Sequence, residues 1–152
     1  MQITKESPLT ADLTLLMTRH TADMHADTPP ESIHMMDAGQ LAIPDVQFFV
    51  GREAGVPVVM GAFKRIDDHH AEVKSMHVLS EARGRGLSRL MLDHLMAQAL
   101  AAGFHRLSLE TGSQPMFLPA VRLYEKAGFE TCSPFEGYTD DPNSIYMTRT
   151  LA

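Results

Sequence analysis

The stretch from Ala71 to Ala102 restricts the fold more than any other. Ala71–Leu79 alternates as a strand, placing Glu72, Lys74, Met76 and Val78 on one face and Val73, Ser75 and His77 on the other. A loop with two glycines follows, Ser80-Glu81-Ala82-Arg83-Gly84-Arg85-Gly86. Gly86–Ala102 then repeats Leu87, Met91, Leu95 and Ala99 four apart, widened by Leu90 and Met96. Such a helix must bury its stripe on a sheet, which makes the chain a layered α/β domain. Gly103 is placed to end the helix.

The flanking segments supply the rest of that sheet. Gln2–Lys5 reads as a first strand. Thr10 is a candidate N-cap for a helix carrying Leu13, Leu16, Met17 and Met24, and a shorter helix is expected from Ser32 to about Gln40. Gln47–Arg52 and Val56–Ile66 flank Glu53-Ala54-Gly55 as a hairpin, and Asp67–His70 is the next turn. Arg106–Glu110 is a strand and Pro119–Ala127 a helix ended by Gly128. Phe129–Cys132 and Ser144–Leu151 are the last strands. All 152 residues fit one domain.

Composition excludes some partners. The net charge is 13 − 19 = −6, which disfavours general affinity for nucleic acid or anionic membranes. No apolar run approaches the ~20 residues that span a bilayer. The start, MQITKESPLTADL, lacks a signal-peptide pattern, and a single cysteine, Cys132, forms no internal disulfide. A cytoplasmic protein is the simplest expectation. The eight histidines form neither HExxH nor a Cys/His cluster, so no metal site is expected.

The loop before the long helix invites an anion. A helix N-terminus presents unpaired N–H groups and partial positive charge. Gly84 and Gly86 permit unusual backbone angles, and Arg83, Arg85 and Arg89 add charge. A solvated basic turn is the competing reading. A Walker A loop is excluded, because no Gly-Lys-Ser/Thr follows. A dinucleotide fingerprint lacks its third glycine, Arg89 standing in its place.

Met76–Ser88 resembles motif A of the GNAT N-acetyltransferases, (Q/R)-x-x-G-x-(G/A), here Arg83-x-x-Gly86-x-Ser88. Ala120-Val121-Arg122-Leu123-Tyr124-Glu125-Lys126-Ala127-Gly128-Phe129 resembles the family's motif B, A-x-x-L-Y-x-x-x-G-F. Phe117 departs from the pattern, standing where many members carry an asparagine beside the cofactor. Pro29–His34, Ser108–Ser113 and Asp141–Ser144 are similar to a bacterial YsnE-like subgroup described as phytohormone, or indole-acetic-acid-type, acetyltransferases.

The resemblance implies a GNAT fold: a mixed, mostly antiparallel sheet with helices on both faces. It implies acetyl-CoA as co-substrate, with Met76, His77 and Val78 along its pantetheine arm. Arg83, Gly84, Arg85, Gly86, Leu87 and Ser88 then hold its pyrophosphate. It also implies direct transfer to a primary amine, of a small molecule or an amino-acid-like acceptor, and leaves room for a homodimer. A protein amine, or a non-catalytic domain that binds acetyl-CoA, are the alternatives. Glu72 is the candidate base because it shares a strand face with Met76 and Val78, with His70 the runner-up. The Val78 N–H is the oxyanion donor and Tyr124 the acid for the thiolate. Lys74 could meet a substrate carboxylate. Pro30–His34 and Phe135–Asn143 are expected to wall the acceptor site, with Tyr138 as a lid.

Overall fold

The computed structural model describes residues 1–151, apart from the Asp27 side chain. In chain order it has β1 (Gln2–Lys5), α1 (Thr14–Asp27), α2 (Ala38–Leu41), β2 (Val46–Glu53), β3 (Val56–Arg65) and β4 (His70–Val78). These are followed by α3 (Leu87–Ala101), β5 (Arg106–Gly112), α4 (Leu118–Lys126), β6 (Glu130–Thr131) and β7 (Ser144–Thr150). The strands form one seven-stranded sheet in the order β1-β2-β3-β4-β5-β7-β6. Every neighbouring pair is antiparallel except β4–β5, which is parallel and joined across α3.

The long helix does what its stripe requires. Leu87, Met91, Leu95 and Ala99 are buried, against the sheet face that carries Gly61. A Cβ on Gly61 would lie 2.8 Å from Met91 Cγ, so glycine there lets α3 approach. Leu92, fully buried, widens the stripe, whereas Leu90 is 51% exposed and faces outward. Phe63 continues this core, tilted against Phe49 at 6.1 Å and edge-on to Phe104 at 5.8 Å. Each large side chain so buried contributes about 1.5–3 kcal/mol. The opposite face is covered by α1, whose His20 packs edge-on against His77 at 5.3 Å.

Two helix starts differ from the expectation. Thr10 does not cap α1: its hydroxyl donates to the Ser7 carbonyl at 2.7 Å, and a 3₁₀ turn, Ala11–Leu13, leads into the helix. The expected helix over 32–40 is only the short α2. Asp37 caps it, receiving Gln40 N–H at 2.7 Å while Gln40 Oε1 receives Asp37 N–H at 2.9 Å. That reciprocal box favours a helix start at Ala38 rather than Ser32.

The alternation expected along β4 fails at Ser75. Lys74 pairs with Ala62 and His77 with Met60, so Ser75 and Met76 together face Gly61. This is a β-bulge, and Ser75 adopts φ 58, the left-handed region. Strand parity inverts beyond it. Glu72 and Lys74 share a face with His77, towards α1; Met76 and Val78 lie on the α3 face with Val73. The expectation that Glu72 shares a face with Met76 and Val78 is therefore corrected.

Candidate active site

The bulge stands beside a gap in the sheet. β4 and β5 pair at His70↔Arg106, Ala71↔Leu107 and Glu72↔Ser108, and no further. Beyond Glu72 the strands part, and a cleft of about 520 Å³ opens between them. Leu79 N–H bonds the Val58 carbonyl at 2.9 Å, which makes Val59↔Val78 the non-hydrogen-bonded pair next to it. The Val78 N–H and C=O therefore point away from β3, towards the gap. Arg83 Nε occupies that C=O at 3.2 Å.

One end of the cleft is the glycine loop. Gly84 and Gly86 have φ 79 and 77, which side chains rarely adopt, and a Cβ on either would meet nothing within 4 Å. Glycine is thus required by the backbone, and the space outside it is open. The first helical bond of α3 runs from Leu90 N–H to the Gly86 carbonyl at 3.1 Å. The N–H groups of Leu87, Ser88 and Arg89 precede that ladder, and no side chain caps them. A pyrophosphate suits such donors. The arginines are spent on protein acids: Arg83 on Asp23 at 3.0 Å, Arg89 on Asp93 at 2.9 Å, and Arg85 on Glu53.

Tyr124, from α4, lines the cleft and is 6% exposed. Burial, and then the nearby Glu110 charge, push its phenol up to about 12. It therefore keeps its proton at neutral pH. Phe117 also lines the cleft, its ring seated on Gly112, where a Cβ would lie 2.5 Å from Phe117 Cε2.

At the other end, Glu72 is buried and bound. Its Oε2 receives the Tyr138 hydroxyl at 2.6 Å and lies 3.0 Å from Lys74 Nζ. Lys74 also donates to the Tyr138 oxygen at 2.8 Å and to the His34 carbonyl at 3.3 Å. Ser32 donates to Asp141 at 2.5 Å, and His34 packs edge-on against Tyr138 at 4.9 Å. The two segments expected to wall the acceptor site thus meet each other and β4. His70 does not reach the cleft; its Nε2 lies 2.6 Å from Ser108 Oγ on the far side of the sheet pairing. Cys132 is likewise absent from the cleft lining.

Glu110 is a second acid of the cleft, outside the candidate bases Glu72 and His70. Ser108 pairs with Glu72, so Ser108, Glu110 and Gly112 share its face. Glu110 lines the cleft, and its one hydrogen-bond partner among the described residues is Ser144 Oγ at 2.7 Å. Burial raises its carboxyl above the ordinary range, against the lowering effect of Ser144. The sequence signal was a lone acid in an otherwise buried strand, Leu107-Ser108-Leu109-Glu110. Nearby, His77 Nε2 and Ser75 Oγ are buried without protein partners. Burial holds His77 below its usual range, and burial followed by the His77 charge lowers His20 to about 4.

Residues 15–129 match the model of the acetyltransferase (GNAT) family. The chain is 40% identical to the N-acetyltransferase YsnE of Bacillus subtilis over 136 residues, 90% of each chain. It is 38% identical to the IAA acetyltransferase of Azospirillum brasilense over 98% of this chain and 97% of that one. An acetyltransferase from Streptococcus agalactiae shares the fold, with TM-score 0.76 at 21% identity, covering 99% of this chain and 98% of that one.

Proposed function

The chain belongs to the acetyltransferase (GNAT) family and is an N-acetyltransferase; on that premise we propose that it acetylates the primary amine of a small molecule by direct attack, with both reactants bound. One observation carries the reading. Where β4 and β5 part, the Val78 N–H, the Tyr124 hydroxyl and the Glu110 carboxylate line one cleft that ends at the α3 N-terminus.

Acetyl-CoA supplies an activated thioester carbonyl. Gly84, Gly86 and the N–H groups of Leu87 and Ser88 hold its pyrophosphate, with Arg83 and Arg85 at the periphery. Val78 turns its N–H into the gap, with Met76 and His77 beside it, for the pantetheine arm. The Val78 N–H receives negative charge developing on the carbonyl oxygen. Tyr124 donates its proton to the departing sulfur.

The base is Glu110 in this reading, not Glu72. Glu72 is bound to Lys74 and Tyr138, whereas Glu110 has a hydroxyl partner only. A carboxylate disfavoured by burial takes a proton readily, directly from the ammonium or through water.

An amine library with acetyl-CoA, read by released thiol, tests the reading. Turnover is expected, and Glu110→Gln and Tyr124→Phe each reduce it about 100-fold. Acetyl-CoA binding with no thiol release from any amine would overturn it.

A further inference from the structure

If the cleft acetylates amines as proposed above, its charges choose among them. The cations of the cleft wall are engaged. Lys74 has three N–H donors and three acceptors for them: Glu72 at 3.0 Å, Tyr138 at 2.8 Å and the His34 carbonyl at 3.3 Å. Arg83 is divided between Asp23 and the Val78 carbonyl, and Arg89 is paired with Asp93. Glu110 is the carboxylate left over. No cation lies in ion-pair contact with it among the described residues, and its Oε2 is met only by Ser144 Oγ at 2.7 Å. The same cleft also carries apolar lining, including Met35, Met116 and Phe117.

An ammonium entering this end cancels the Glu110 charge. A carboxylate entering with it brings a second negative charge beside Glu110 and finds the Lys74 donors already spent. Dislodging Lys74 would strand the buried Glu72. We propose that the acceptor is a small primary amine with an apolar body and no carboxylate beside the amine, its nitrogen at Glu110 and its body against Met35, Met116 and Phe117. Free α-amino acids are thereby rejected by charge, not by size.

The test compares phenethylamine, phenylalaninamide and phenylalanine as acceptors at saturating acetyl-CoA, with kcat/KM expressed per neutral amine. The amide has the shape of the acid without its charge. Phenethylamine and phenylalaninamide are expected to exceed phenylalanine by about 100-fold each, tenfold corresponding to a modest interaction difference. Phenylalanine equal to either one overturns the proposal. So does an amide as poor as the acid, which makes the exclusion steric, and so does turnover confined to polar amines. Turnover of no amine at all, with acetyl-CoA bound, overturns the amine-acetylating reading itself and is distinguished by that.

Discussion

Tyr138 donates its hydroxyl proton to Glu72 at 2.6 Å, across 66 residues of chain, and its oxygen receives Lys74 at 2.8 Å. One phenol therefore fastens the segment before β7 onto β4 and completes the coordination of a buried ion pair. Tyr138→Phe leaves both charges short of a partner. It is expected to lower stability by about 2 kcal/mol, read as a lower urea midpoint with unchanged slope. A Lys74 donor is released at the same time, so the variant should also tolerate phenylalanine better, relative to phenethylamine, than the unmodified protein does.

The loop before α3 ranks its own residues. Gly86 holds φ 77 at the helix start, while Arg85 pairs with Glu53 outside the cleft lining. Gly86→Val forces a branched side chain into the left-handed region, a strain of about 1–2 kcal/mol, and displaces the N–H groups behind it. Acetyl-CoA affinity by calorimetry should fall tenfold or more, roughly, against about two- to threefold for Arg85→Ala. A reversed order would count against a backbone cradle.

Tyr124 is held in its protonated form up to about 12. Tyr124→Phe removes the proton donor and little volume. We expect kcat to fall about 100-fold, with the acetyl-CoA dissociation constant changed less than about twofold. An equal loss in affinity would make Tyr124 a packing residue.

Glu110 links activity to stability. Burial raises its carboxyl above the ordinary 4.5, so the folded protein holds this proton more tightly than the unfolded chain. The associated stability is present below 4.5 and lost as pH rises through the folded value. Glu110→Gln carries no such loss. The variant should therefore gain stability relative to the parent as pH rises above 4.5, as its turnover falls. Parallel urea titrations across that range measure the difference; a constant offset refutes it.

His20 acts in the opposite direction. Burial lowers it from 6.5 to about 4, so the unfolded chain takes up its proton first and stability falls as pH drops between those values. The loss is on the order of 3 kcal/mol. His20→Gln should flatten that part of the pH profile of the denaturation midpoint.

Much of this arrangement was written locally. The stripe Leu87, Met91, Leu95, Ala99 dictates a helix with one buried face, because helical geometry repeats along a single segment. Gly84 and Gly86 dictate left-handed turns, since no other residue enters them at so little cost. Motif order and strand count follow from the same local signals, and so did the family resemblance.

The tertiary structure decided what those local rules cannot reach. Strand alternation assigns faces only while the ladder is regular, and Ser75 carries no glycine-like sign that it will bulge opposite Gly61. That register belongs to two strands, not one, and it moved Glu72 away from the face of Met76 and Val78. Whether a carboxylate serves as base depends on its partners: Glu72 gained Tyr138 from a distant segment, and Glu110 gained only Ser144. Both acids look alike in sequence, because the energy of a buried charge is set by long-range neighbours that only the folded chain assembles.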